Sequence, residues 1–496
     1  MSERALFLES KCKIVQIVKF IKSNILAIMS LIAFSIITIS RIANHTPFCD
    51  EAHAWILAEQ LNYLDMVKEV NNEGHFFIWH TLLYPFAHSQ IILYPYPMQV
   101  INWIFCFWAM ILLWWKAPFN NWIKIFITFS FPFLGCYGVL ARCYSIGIFL
   151  LFLLATFFDK KLKYPKTYTI LLILCANTSL MALVGATAFG ILFLYDLIRD
   201  KNLDKKNKAI TLAILSFGCI IVLYQLLNIG YFTEVASNRQ PHISIKLFRN
   251  TFLTDNLFAN LFLLSVFTVP VFKYLSKFKN ALFFFVSVYL FLLAFLTSFY
   301  PGEFWHSYFF YVYLIIVFWI SDCHIKADRQ KMSAYVVLSL ISLILIFHKP
   351  VNKDYFGVYK ASNAKMLMSI FENDENLKYA QIIQNDVNIT EIAPYNYNKT
   401  YKVRTHCYSQ KNKEYNFLSG YNKLCAVKST FEQAKRYPEV IRDITDNSTY
   451  TYMNTKEYTT DKTLYIVPAD GYSIYFKKYK CYDKYCFWKV EIKDEN

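Results

Sequence analysis

The sequence predicts a polytopic α-helical membrane protein of about eleven spans with a C-terminal α/β domain, and three observations lead there. Of the 496 residues, 56% are hydrophobic and 19% aromatic, an apolar composition for a chain of this length. Apolar runs of membrane-spanning length recur up to about residue 350, and the polar tail beyond Lys349-Pro350 has none. Lys and Arg gather in short blocks between those runs, as cytoplasmic loops do. That placement, rather than the net charge of +16, sets the class. No nucleic-acid-binding motif accompanies the basic residues, so nucleic acid is excluded as a partner.

A helix crossing a bilayer needs about 20 mostly apolar residues. The candidate spans are 24–43, 98–115, 122–138, 139–158, 168–183, 184–198, 210–228, 257–272, 281–297, 308–320 and 333–347. Residues 1–23 carry Arg4, Lys11, Lys13, Lys19 and Lys22 and read as a cytoplasmic N-terminus. The run after them is long for a signal peptide, and no small-x-small site follows, so it reads as an uncleaved helix. Eleven spans from a cytoplasmic N-terminus put every short basic loop on one side: Lys116 and Lys124; Lys160 to Lys166; Arg199 to Lys208; Lys273 to Lys279; Lys326 to Lys331. This is the positive-inside pattern of a plasma-membrane (inner-membrane) protein with its C-terminus outside.

The count holds only if the apolar stretch 76–93 does not cross. His80, Pro85 and His88 interrupt it, and Tyr94-Pro95-Tyr96-Pro97 follows, so it reads as a helix lying in the interface. Residues 52–64 carry Ala54, Leu57, Leu61 and Leu64 at the spacing of one helical face. The first outer loop, 44–97, is then two interfacial helices joined by Asn71-Asn72-Glu73-Gly74. Residues 24–349 form the membrane domain and 350–496 an extracytoplasmic α/β domain. In that tail, 363–371 and 431–436 read as helices, and 379–383, 463–467 and 487–492 as strands. The aromatic stripe 472–476 suits sugar stacking or, more commonly, a strand packed into a core. Cys407, Cys425, Cys481 and Cys486 suit disulfides in an oxidising compartment, and Cys407–Cys425 with Cys481–Cys486 is the most local of three pairings. Asn388, Asn398 and Asn447 match a glycosylation pattern that an Asn-rich tail produces by chance.

The chemistry centres on Pro47-Phe48-Cys49-Asp50-Glu51-Ala52-His53, just past the first span. Carboxylates beside a bilayer are costly and usually functional; the plain structural alternative is Asp50 capping a helix opened by Ala52. The same outer face collects Glu73, His75, Arg142, Tyr144, Asn177, Arg239, His242, Glu303 and His306. Singly, an Arg or His at a helix end more often snorkels to headgroups. Together they suit transfer of a sugar from a lipid phosphate: a carboxylate takes the acceptor's hydroxyl proton, and cationic or imidazole groups stabilise the leaving phosphate. Asp50 and Glu51 also offer oxygen ligands for a divalent cation. Gly-rich phosphate loops and Walker motifs are absent, which disfavours nucleotide-driven chemistry.

Asp50-Glu51-Ala52, then Glu73-Gly74-His75, then Ala141-Arg142-Cys143-Tyr144, followed by a multi-span body and an outer tail, resemble the GT-C membrane glycosyltransferases. The nearest group is the protein-mannosyltransferase and aminoarabinose-transferase-like one. The resemblance covers residues 20–350 and is most specific in the first 160. It implies a polyprenyl-phosphate-linked sugar donor, an envelope glycan, lipid or protein acceptor, and membrane lipid as surroundings. It further implies Asp50 as catalytic base and Glu51 supporting it or a metal. The chain departs from relatives in three places. Phe76 follows His75 where many have Pro, Trp305 precedes His306 where many have a basic residue, and Arg142-Cys143-Tyr144 stands where some carry a second acid. Two other classes remain: a transporter or flippase of lipid-linked glycan, and a non-catalytic membrane scaffold. The former typically shows internal repeats and charged mid-membrane helices, which this sequence lacks; the latter leaves the acidic pair unexplained.

Overall fold

The structure, a computed structural model, describes residues 22–72, 76–89, 91–227, 268–296, 304–322, 329–347, 364–377, 380–384, 393–395, 403–405, 451–455, 465–469, 471–482 and 485–495. The first part of the helical body comprises α1 (Ile25–Asn44), α2 (Cys49–Gln60), α3 (Tyr63–Asn72), α4 (Ile78–Ser89), α5 (Tyr96–Lys116), α6 (Asn121–Thr128), a π-helix (Pro132–Tyr137) and α7 (Tyr144–Phe157). It continues through α8 (Pro165–Ala176), α9 (Leu180–Arg199), α10 (Lys205–Leu227), α11 (Lys279–Ala294), α12 (Phe304–Ser307), α13 (Phe309–Asp322) and α14 (Arg329–Phe347).

Among the described residues, five segments are long and apolar enough to cross a membrane: α1, α5, α9, α10 and Phe304–Ser321, which joins α12 to α13. Three shorter apolar helices accompany them, at Pro165–Ala176, Lys279–Ala294 and Lys331–Phe347. Their burial assigns their places. Phe304–Ser321 is the hub, with 94% of its residues buried, whereas the most apolar 18-residue stretches of α1 and α10 bury only 28% and 22% of theirs and turn apolar side chains such as Met29, Ile36 and Leu223 outward. A helix satisfies its own backbone hydrogen bonds, so such faces are stable against lipid. Small residues let helices meet closely at the hub: a Cβ on Gly185 of α9 would lie 2.5 Å from the Tyr313 ring of α13.

Several expectations are corrected. The stretch 52–64 is not one helix. α2 ends at Gln60, and Asn62 starts α3 by accepting the Asp65 N–H at 3.1 Å, so Leu61 and Leu64 do not extend the face of Leu57. The first loop therefore holds three helices, α2 to α4, rather than two. The expected span 122–138 is broken into the eight-residue α6 and the π-helix, at Phe129 to Phe131 just before Pro132. The next helix begins at Tyr144 rather than Val139, leaving 138–143 as a loop. The division near Leu183 lies instead at Asn177 to Ser179, because Ser179 caps α9 by accepting the Ala182 N–H at 3.2 Å. Of the expected span 257–272, residues 257–267 lie outside the described residues.

Among the described residues, the tail contributes α15 (Ala364–Asn373), a 3-10 turn (Ala393–Tyr395) and one six-stranded sheet. The strands are β1 (Gln381–Gln384), β2 (Val403–Thr405), β3 (Thr451–Thr455), β4 (Tyr465–Ala469), β5 (Tyr472–Tyr482) and β6 (Tyr485–Asp494), in the order β2-β1-β3-β6-β5-β4. β1 runs parallel to β2 and β3, and the remaining pairs are antiparallel. The stripe at 472–476 is a core strand, with Tyr472, Ile474 and Phe476 buried. Cys481 and Cys486 face each other at the end of the β5–β6 hairpin and are disulfide-bonded. The expected helix 431–436, Cys407, Cys425 and the three asparagines of the glycosylation pattern lie outside the described residues.

Candidate active site

Asp50 and Glu51 lie in the first turn of α2, behind Phe48 as N-cap. Asp50 is therefore inside the helix and is not its cap. Neighbouring residues on a helix point about 100° apart, so the pair is divided between two environments. Glu51 is fully buried. Its Oε1 accepts the Ala141 N–H at 2.7 Å, and its Oε2 accepts the Phe48 N–H at 3.1 Å and lies 2.8 Å from His45 Nε2. The Phe48 bond is the glutamate half of a capping box. Gln99 of α5 steadies the same corner by donating to the His45 carbonyl at 3.4 Å. Glu51 thus fastens the α1–α2 connection to the loop 138–143, with a donor for each lobe of its buried charge.

Asp50 turns the other way, into an ion pair with Nη1 of Arg142. The Asp50 side chain is 25% exposed and that of Arg142 is 9% exposed. The guanidinium also lies over the Tyr144 ring, 5.6 Å from its centroid, a cation–π placement. The Tyr144 hydroxyl is 2.8 Å from His306 Nε2. Asp50, Arg142, Tyr144 and His306 therefore form one connected row drawn from α2, the loop 138–143, α7 and α12. The row is braced from behind. Tyr137 donates to the Trp305 carbonyl at 2.7 Å, and Asn102 donates to the Tyr137 carbonyl at 2.9 Å while accepting from Ser145 at 2.6 Å. The Phe48 and Trp305 rings pack against each other at 5.5 Å, joining the N-cap of α2 to α12. Chemically, the row offers a partly exposed carboxylate beside a guanidinium, a phenol and an imidazole, at the N-terminal end of α7, where the helix dipole favours anions.

Of the candidate residues, Asp50, Arg142, Tyr144 and His306 come together, and Glu51 sits behind them. His306 lies within a helical turn of the hub rather than ahead of it. Asn177 is buried elsewhere, as C-cap of α8 paired with Gln225 of α10. Glu73, His75, Arg239, His242 and Glu303 lie outside the described residues. The acidic pair does not fit a divalent cation. Glu51's oxygens are taken by two backbone donors and an imidazole, Asp50 faces a guanidinium, and the described residues hold no group of three His, Cys, Asp or Glu able to ligate a metal. Sequence reasoning missed His45, Tyr137 and Gln99; the last two act through hydrogen bonds to distant backbone carbonyls, and His45 through its ring against the Glu51 carboxylate. An imidazole six residues before Glu51, at the end of a span, was the one local signal.

No family model matches this sequence, and no curated protein matches it. Among solved structures, the chain is similar to ArnT from Cupriavidus metallidurans bound to undecaprenyl phosphate. The TM-score is 0.50 over 94% of this chain and 98% of that one, at 8% sequence identity. The fold is GT-C-like. At this identity the likeness extends to the path of the chain and not to residue roles.

Proposed function

We propose that this protein is a multi-pass membrane glycosyltransferase that moves a sugar from a polyprenyl-phosphate donor to a hydroxyl of an envelope glycan, lipid or protein, with inversion at the anomeric carbon. The observation that carries this reading is the Asp50–Arg142 pair, continued by Tyr144 and His306. Without substrate, Arg142 is occupied by Asp50. A donor phosphate is a competing anion with more acceptor oxygens, and on binding it draws the guanidinium to itself and frees the carboxylate. The acceptor oxygen then bonds to the anomeric carbon as the bond from that carbon to the phosphate oxygen breaks. The broken bond's electron pair stays on the polyprenyl phosphate, and the acceptor's proton passes to Asp50. Arg142, with Tyr144 and His306 beside it, stabilises the departing phosphate. Glu51 positions Asp50 and Arg142 by tying their two segments together.

Two findings support this reading. The fold neighbour ArnT was crystallised with undecaprenyl phosphate, a ligand of the proposed donor class. The Cys481–Cys486 disulfide suits an oxidising compartment and so an outer location for the tail. With the basic loops inside, the proposed topology has about eleven crossings, residues 1–23 in the cytoplasm, and loop 44–97 and residues 350–496 outside. Glu73, His75, Arg239 and His242 remain candidates for donor or acceptor contacts on that face.

The test is complementation. The gene is deleted and restored as wild type or as Asp50→Asn at matched membrane levels, and envelope glycans are compared by mass spectrometry. Restoration of a missing sugar by wild type alone supports the transferase reading, and the mass identifies the sugar. Full restoration by Asp50→Asn overturns it.

A further inference from the structure

α2 is an unusual helix for its place in the chain. From Glu51 to Ala58 every residue is buried, so nothing along that stretch faces solvent or lipid. A twelve-residue helix in a connecting segment normally buries one stripe. Burial all round requires a cover on each side, and α3 and α4 of the same loop supply only part of it. The loop 138–143 and Tyr94 add to it, and a further part comes from the far end of the chain. The 3-10 turn Ala393–Tyr395 lies against α2 on one side and against α15 on the other. Tyr395 is 6% exposed, and its ring meets Tyr94 edge-on at 4.8 Å. Tyr94, 1% exposed, in turn packs on Trp55 of α2 at 5.6 Å. On its other side α15 rests on the sheet through Phe371 and Phe487, whose rings are 5.6 Å apart. A continuous line of aromatic contacts and packed elements thus runs from the tail's sheet to the helix that carries Asp50.

We propose that the C-terminal region is a positioning element for the carboxylate, and that Tyr395 is its contact residue, acting through Tyr94 and Trp55. The proposal rests on the transferase reading only for its kinetic expectation. Asp50 is one and a half turns before Trp55, so a rotation of α2 allowed by an empty Tyr395 site moves the carboxylate relative to Arg142. Aromatic edge contacts are directional, which makes them suited to fixing such a rotation. Covering loops elsewhere on a protein exclude water, but they do not need to reach the one helix bearing the reactive group.

The test uses the full chain in nanodiscs, as wild type, Tyr395→Ala and Tyr395→Phe. Turnover is measured with the donor identified by the glycan comparison, and binding is measured separately with undecaprenyl phosphate. The expected result is a kcat lower by about tenfold or more in Tyr395→Ala, with KM for the donor and affinity for undecaprenyl phosphate within about twofold of wild type, and recovery in Tyr395→Phe, which keeps the ring edge. Hydrogen exchange supplies a reading independent of catalysis. Amides of Cys49–Gln60 should exchange faster in Tyr395→Ala while those of Tyr96–Lys116 do not. Unchanged kcat with unchanged exchange in α2 overturns the proposal, as does an equal loss of binding and turnover in both variants. If the wild type transfers no sugar, the transferase reading fails and exchange in α2 alone decides whether Tyr395 braces the helix. Should Tyr395→Ala not accumulate, Tyr395→Leu carries the same comparisons, since it fills the site without a ring.

Discussion

Arg142 pairs with Asp50 across 92 residues of sequence, and the pair joins the first turn of α2 to the loop ahead of α7. In the proposed reaction the same guanidinium serves two anions in turn. Asp50→Asn should therefore split two properties that ordinarily fall together. Sugar transfer should drop by about 100- to 10,000-fold, the range for loss of a general base. Binding of undecaprenyl phosphate should be unchanged or tighter, because Arg142 no longer has a protein carboxylate to leave. Single-turnover transfer and direct lipid-phosphate binding on the same preparation make the comparison. A variant that loses binding as much as turnover would mean that the pair serves as scaffold only.

Glu51 calls for the opposite outcome. It is buried with two backbone N–H groups and an imidazole directed at its oxygens. Glu51→Gln keeps the shape but replaces one acceptor oxygen by a donor, which then faces another donor. Leaving a buried group unpaired in this way costs about 1–3 kcal/mol. The expected result is a lower melting temperature in detergent and reduced membrane accumulation, whereas Asp50→Asn melts near wild type. Equal stability of the two variants would remove the distinction between the adjacent acids.

That distinction marks what could be read from the chain alone. The acidic pair, Arg142, Tyr144 and His306 were legible because charged and aromatic groups at the ends of apolar runs stand out, and the runs at α1, α5 and α10 were legible by length. The division of labour within Asp50-Glu51 was not. It depends on the 100° turn between helix neighbours and on where Ala141's N–H happens to point, and a sequence does not carry either. The break between α6 and the π-helix was likewise hidden, because 122–138 is mostly apolar, with only Lys124, Thr128 and Ser130 polar, and its interruption lies in local backbone geometry around Ser130 and Pro132. The bracing by Tyr395 is the extreme case, a contact between the tail and residue 94 that no local pattern announces.

Gly185 and Gly190 share α9 and provide a matched pair. A Cβ on Gly185 would sit 2.5 Å from Tyr313 Cε1 and 2.7 Å from Leu151 Cδ2, whereas a Cβ on Gly190 meets nothing within 4 Å. The backbone N–H of Gly185 also donates to the Tyr313 hydroxyl at 3.0 Å, so the close approach is held by a hydrogen bond. Gly185→Ala should push α9 from the hub and cost about 1–3 kcal/mol, the usual range for overpacking. Gly190→Ala should be neutral or slightly stabilising, since alanine is the better helix former by about 1 kcal/mol. Thermal unfolding of the two variants in the same detergent tests this, and equal melting temperatures would contradict the close packing of α9 on α13.

The tail carries a pH-dependent joint at Asp374, just beyond α15. Burial pushes its carboxyl pKa up, but hydrogen bonds from Tyr482 and Tyr479, the Asn376 N–H and the nearby Lys480 ammonium outweigh that and hold it below the ordinary aspartate value. The bonds are 2.7 Å from Tyr482, 3.0 Å from Tyr479 and 3.1 Å from Asn376, so α15 is tied to β5 through one ionised group. A carboxyl whose pKa is depressed by folding stabilises the folded form fully above its unfolded pKa and loses that contribution as pH falls through the folded one. The α15–β5 contact should therefore be intact at neutral pH and weaken only below about pH 4, the unfolded aspartate range. Asp374→Asn should remove this dependence, because the amide neither titrates nor accepts from both tyrosines as well. Hydrogen exchange of β5 and β6 amides in the full chain, corrected for the intrinsic pH effect on exchange, reads the joint directly. Protection that falls between pH 6 and pH 5, or that falls equally in Asp374→Asn, would assign the transition to some other group.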